Sequence, residues 1–196
     1  MPGTLPRLVL VRAAATDLDC QGRIGGRLDV PLCATGLEQA HRTAHELSGY
    51  RLGVLYHAPC QAAEQTAQIM AQEMDVKLKS DSALANLDFG LWHGKSLDEL
   101  RETQPWLYRC WLEHPETVCP PEGEEFDVAR RRIASFLKKA AARYHDQLIG
   151  AVVCAPVAAL ISHMYYGGDL GWLWSQQTGD ASWQLLEVGE PALVGH

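Results

Sequence analysis

The sequence predicts an α/β fold built on a largely parallel sheet. Three observations carry that expectation. Short apolar runs rich in Val and Leu recur along the chain, helix-forming segments lie between them, and Gly- or Pro-containing turns separate the two.

Arg7–Arg12 (RLVLVR) is the first such run and reads as a buried strand. A glycine-punctuated loop, Asp17 to Ala34, follows it. Thr35-Gly36 then opens a helical segment from Leu37 to Leu47. Leu52–Tyr56 is the second strand candidate, closed by Ala58-Pro59, and Gln61 to Met74 is strongly helical in propensity. A short strand is expected over Val76–Lys79. Ser96, with Glu99 three residues on, forms a capping box that starts a helix. Trp106 to His114 reads as a further helix. The Pro120-Pro121-Glu122-Gly123 turn precedes a long one, Phe126 to Tyr144. Leu148–Cys154 (LIGAVVC) is the clearest buried strand, followed by a helix over Val157–Met164 and a last strand over Trp183–Val188. In such sheets functional residues gather where strand carboxyl ends meet helix amino ends, here after Val11, Tyr56 and Val153.

Composition narrows the function classes. The 196 residues suffice for one substantial domain, expected to span 1–196. A formal charge of -7 argues against binding nucleic acid, which needs a basic surface. No run approaches the roughly eighteen apolar residues of a membrane span. The start of the chain carries no signal pattern, so a cytoplasmic location is the expectation. Six cysteines (Cys20, Cys33, Cys60, Cys110, Cys119, Cys154) include no C-x-x-C pair and no zinc spacing. None has an arginine six positions on, as the loop of cysteine phosphatases requires. No cofactor and no metal is expected.

The three strand ends carry a family pattern. R-H-G-E-T followed by N-x-x-x-R and G…D-x-P-L…G matches Arg12-Ala13-Ala14-Ala15-Thr16, then Asp19 and Arg23, then Gly25-Gly26, Asp29-Val30-Pro31-Leu32 and Gly36. S-P-L-x-R-A-x-x-T-A matches Ala58-Pro59-Cys60-Gln61-Ala62-Ala63-Glu64-Gln65-Thr66-Ala67. L-x-E-x-x-F-G-x-W-E-G matches Leu84 to Gly94, P-x-G-E-S with a helical arginine matches Pro121 to Glu125 with Arg130, and V-V-x-H-G matches Val152 to Pro156. In these five elements the chain resembles the histidine phosphatase superfamily, which includes phosphoglycerate mutases and many small phosphatases. The resemblance implies a three-layer α/β/α sandwich with a mostly parallel central sheet.

It also implies a phosphohistidine mechanism, and here the chain departs from the family. The nucleophilic histidine corresponds to Ala13, a phosphate-binding arginine to Ala62, the second histidine to Ala155 and the proton-donating glutamate to Asn86. Alanine has neither lone pair nor titratable proton, and the loss of one phosphate donor typically costs roughly 3 kcal/mol of transition-state stabilisation. Arg12 and Arg23 remain as phosphate-facing charges. The expectation is therefore a catalytically inactive pseudophosphatase with a binding or regulatory role and a weak anion site. Its expected partner is a phosphorylated small molecule or another protein, with a homodimer suggested by analogy. The alternative is an active phosphatase or phosphoglycerate mutase relative that uses His93, His57 or a cysteine. The simpler reading makes His57 a loop histidine and His93 a turn histidine. Cys20, Cys60 and Cys154 fall in elements that approach the pocket, so a thiol or redox function requires that they meet in space. Arg12 has its own plain alternative, an ion pair with Asp88. Trp106, Trp111, Trp172 and Trp174 are expected to pack on helix faces or cover segments.

Overall fold

The structure, a computed structural model, describes residues 5–171, 182–187 and 193–195. Six strands form one mixed sheet in the order β3-β2-β4-β1-β5-β6. These are β1 (Leu8–Arg12), β2 (Val54–His57), β3 (Leu78–Ser80), β4 (Ile149–Val153), β5 (Trp183–Leu186) and β6 (Leu193–Gly195). The first four run parallel, and β5 and β6 each run antiparallel to the neighbour before them in that order.

Burial explains the reading of β1 and β4 as continuous apolar runs. Both lie in the sheet centre, and Leu8 to Val11 and Ile149 to Val153 are all buried. The helices are α1 (Asp17–Cys20), α2 (Ala34–Leu47), α3 (Gln61–Met74), α4 (Leu97–Thr103), α5 (Pro105–Glu113), α6 (Phe126–Arg143) and α7 (Ala155–Tyr166). With crossovers of the general right-handed sense, this strand order puts α2 and α3 on one face and α6 on the other, which makes three layers. No helix among the described residues is long and apolar enough to cross a membrane.

Most elements lie where the sequence predicts them, and α3 has the expected bounds. Three differences matter for the site. The loop after β1 contains α1, capped by Thr16 and Asp19 in a capping box. His57 is the last residue of β2 rather than part of the loop. Helix α7 begins at Ala155, two residues early, because Pro156 occupies the first turn, where a missing N–H costs nothing. Strand β6 extends the sheet beyond the expected last strand. Trp172, Trp174 and the end of the expected strand at Val188 lie outside the described residues.

Candidate active site

Adjacent parallel strands bring the three loops after β1, β2 and β4 side by side. The Ala13 N–H donates to Val153 O at 2.8 Å and the Ala58 N–H to Val152 O at 2.9 Å, so the chain stays tied to β4 as it leaves β1 and β2. Further anchors hold the loop after β1. Thr66 Oγ1 accepts from the Ala14 N–H (3.1 Å) and donates to Ala62 O, and Gln39 Oε1 accepts from the Ala15 N–H (3.0 Å). Gly36 belongs to this packing, since any Cβ there would run into the Ala15 carbonyl. The Asp29 of D-x-P-L has a structural task. Its carboxylate accepts the Gln61 N–H at 2.7 Å and so caps the start of α3.

These loops enclose a cavity of about 240 Å³. All six positions singled out from the sequence line it: Arg12, Ala13, Arg23, Ala62, Asn86 and Ala155. One wall is apolar, with Ile24, Leu28, Phe89, Leu97 and Trp111. Trp111 is held by edge-on contacts with Trp92 and Phe89, at centroid distances of 5.9 and 6.1 Å, which bears out its packing role. Trp106, expected to pack, is 72% exposed.

Two arginines bring positive charge to the cavity. Arg12 closes β1 at the cavity. Arg23 is shared: its Nη1 donates to Gly94 O at 2.7 Å and lies 4.0 Å from Glu99. Asp88, weighed as a partner for Arg12, pairs with Arg27 at 3.2 Å. Arg27 also reaches Glu124 (3.4 Å) and Asn86 O (3.3 Å), a bridging role that its place in the Gly-rich loop did not reveal. Arg130, the helical arginine of the fourth element, pairs with Asp127 at the surface. Its neighbour Arg132 makes the bidentate pair with Glu124 and also donates to Ala83 O and Ala85 O, fixing the segment that leads to Asn86. Asn86 itself donates to Gly26 O at 2.8 Å and accepts the Leu87 N–H.

Neither substitute histidine lines the cavity. His57 is buried, with Nδ1 2.9 Å from Ala58 O. The Nε2 lone pair of His93 takes the N–H groups of Phe89 (3.0 Å) and Arg27 (3.2 Å), so it is committed as an acceptor. Gly26, at φ +52°, keeps the room this ring needs.

Cys60 and Cys154 do line the cavity, and their sulfurs are 3.6 Å apart. Cys60 is the N-cap of α3 and Cys154 the N-cap of α7. The hydrogen bond with Cys154 holds the Cys60 thiol below the ordinary thiol range, aided by the Ala63 N–H and opposed by burial. The same contact, together with burial, pushes Cys154 well above that range. Cys20, the third cysteine considered, meets Cys33 instead, also at 3.6 Å. Among the described residues no group of three or more His, Cys, Asp or Glu side chains gathers as a metal site.

The profile of the histidine phosphatase superfamily (branch 1) matches residues 8–193. The chain is 30% identical over 185 residues to phosphoserine phosphatase 1 of Hydrogenobacter thermophilus, covering 94% of this chain and 87% of that one. It is 22% identical to the adenosylcobalamin/alpha-ribazole phosphatase of Escherichia coli, covering 94% and 91%. The solved structure of mycobacterial glucosyl-3-phosphoglycerate phosphatase superposes with a TM-score of 0.80 at 22% identity, covering 97% of this chain and 91% of that one. The chain belongs to the histidine phosphatase superfamily.

These relatives overturn the expectation of a catalytically inactive binding or regulatory protein. The two sequence relatives carry the names of phosphatases, and they favour the alternative of an active enzyme that uses non-standard residues. The expectation gave the missing imidazoles more weight than the alternative nucleophiles, and the cavity holds one such alternative. Alanine at 13, 62 and 155 lines the same cavity as two thiols.

Proposed function

We propose that the protein is a phosphomonoester hydrolase in which the Cys60 thiolate replaces the family's imidazole as nucleophile. One observation carries this reading: Cys60 lines the cavity that also holds Arg12 and Arg23, at the amino end of α3, whereas His57 and His93 do not. A helix amino end favours negative charge, both on a thiolate and on a phosphate.

In this reading the Cys60 sulfur attacks phosphorus, an S–P bond forms, and the ester P–O bond breaks. The departing alkoxide takes a proton from water. A second water then attacks phosphorus, the S–P bond breaks, and phosphate and the thiolate are released. Arg12 and Arg23 meet the charge that spreads over the phosphoryl oxygens. The apolar wall and the cavity size support an organic phosphomonoester whose alcohol has an apolar or aromatic part. A reducing compartment such as the cytoplasm suits a free-thiol nucleophile.

The test is turnover of p-nitrophenyl phosphate and of a panel of small phosphomonoesters that includes phosphoserine. Wild-type protein should hydrolyse at least one of them, and Cys60→Ser should lose that activity while keeping its circular dichroism and melting temperature. Wild-type rates in Cys60→Ser, or no turnover of any phosphomonoester, would overturn the proposal.

A further inference from the structure

We propose that Cys60 and Cys154 form a dithiol centre that reduces hydroperoxides and closes to a disulfide across the amino ends of α3 and α7. The inference rests on the geometry of the pair and does not require phosphoester hydrolysis.

Topology fixes the pair. Strands β2 and β4 are hydrogen-bonded neighbours in which His57 is paired with Val152, so the segments leaving them start together. Cys154 follows Val153 directly, and Cys60 comes three residues after His57. Each sulfur has the other as its partner at 3.6 Å, a thiol contact that must shorten to about 2.05 Å to become a bond. Pro156 contributes to this choice. It removes the amide N–H at the second helical position, one of the groups an N-cap side chain would otherwise accept.

The two thiols are unequal in the way that an attacking and a resolving thiol must be. Their contact holds the Cys60 thiol below the ordinary thiol range and, with burial, pushes Cys154 above it, so Cys60 is placed to attack and Cys154 to resolve. Both face a cavity wide enough for a small peroxide.

The electrons and atoms balance. The Cys60 thiolate attacks one oxygen of the hydroperoxide, an S–O bond forms and the O–O bond breaks. The other oxygen leaves and takes up a proton as alcohol or water. Cys60 is now a sulfenic acid. The Cys154 sulfur then attacks the Cys60 sulfur, an S–S bond forms, and the S–O bond breaks. The departing hydroxide leaves as water with the Cys154 proton. Two electrons pass from the thiol pair to the peroxide, and a dithiol reductant returns them.

The experiment exposes native protein to hydrogen peroxide, blocks remaining thiols with N-ethylmaleimide, and locates the oxidised residues by peptide mass spectrometry. The expected result is a Cys60–Cys154 disulfide, reversed by dithiothreitol, forming at least about tenfold faster than oxidation of the exposed Cys119. Cys154→Ser should stop at a Cys60 sulfenic acid that dimedone traps, and Cys60→Ser should lose the rapid peroxide consumption. Oxidation of Cys60 no faster than that of Cys119 would overturn the proposal. So would a Cys20–Cys33 disulfide forming in place of Cys60–Cys154. A disulfide that forms in protein with no measurable hydrolysis would remove the phosphomonoester hydrolase proposal and leave the dithiol centre standing.

Discussion

Two cysteine pairs have the same sulfur separation of 3.6 Å and different surroundings. At the rim, Cys20 ends α1 and is exposed. The hydrogen bond to Cys33 raises its thiol, and Asp17 and Asp19 push it the same way. Cys33 is occupied as the N-cap of α2, taking the Gly36 N–H at 3.4 Å. At the cavity, Cys60 and Cys154 cap two helices that point at a shared space beside Arg12. Acidic neighbours oppose the thiolate at both sites, Asp17 and Asp19 at Cys20 and Asp29 and Glu64 at Cys60, and only at Cys60 does the sulfur contact shift the thiol downward.

Substitutions at the two pairs should separate most clearly. Cys60→Ser should lower phosphomonoester turnover by about a thousandfold, since a hydroxyl is a far weaker nucleophile than a thiolate, while Cys20→Ser should stay within about twofold. Equal losses at the two positions in steady-state assays would erase the contrast. The charges come next. Arg12→Ala and Arg23→Ala should each cost about ten- to a hundredfold in kcat/KM, since each removes a positive charge from the cavity.

A pH series sharpens the comparison further. A lowered thiol carries its reactive charge at lower pH, so alkylation of Cys60 by iodoacetamide should level off first as pH rises. Cys20, raised, should still be accelerating above the ordinary thiol range. Near neutrality the rates should differ by about tenfold in favour of Cys60. Coincident midpoints in a peptide-resolved alkylation series would break the distinction. The smallest effect belongs to the structural member of the rim pair. Cys33→Ala removes the cap of α2 and should cost about 0.5–1 kcal/mol in denaturant unfolding, without altering turnover.

Local patterns were readable from sequence because each rests on neighbours in the chain. The capping box at Ser96 and Glu99 and the bounds of α3 came out directly. The same logic applied to Thr16 and Asp19 would have found α1, a signal present and overlooked. The motif positions Arg12, Ala13, Arg23, Ala62, Asn86 and Ala155 all reach the cavity because the family pattern encodes its loop geometry. What the sequence hid depends on strand order. That Cys60 meets Cys154 while Cys20 meets Cys33 follows from β2 lying beside β4 and from the path of the loop after β1. Orientation was equally hidden. His93 had the right residue type, and only the two backbone N–H groups on its Nε2 show that its lone pair is committed. Arg132, two positions past the arginine that the pattern suggested, holds Glu124 because of where its turn of α6 faces.

The adjacency of β2 and β4 has a consequence for the unfolded chain. Cys60 and Cys154 are 94 positions apart, so a bond between them would tie most of the middle of the protein into a single ring. A loop of that length restricts the denatured ensemble enough to favour the folded state by about 4 to 5 kcal/mol. The oxidised protein should therefore melt at a higher temperature than the reduced protein, with the gain vanishing in Cys154→Ser. A centre that trades electrons with a peroxide would, in the same event, set how firmly the whole chain holds its shape.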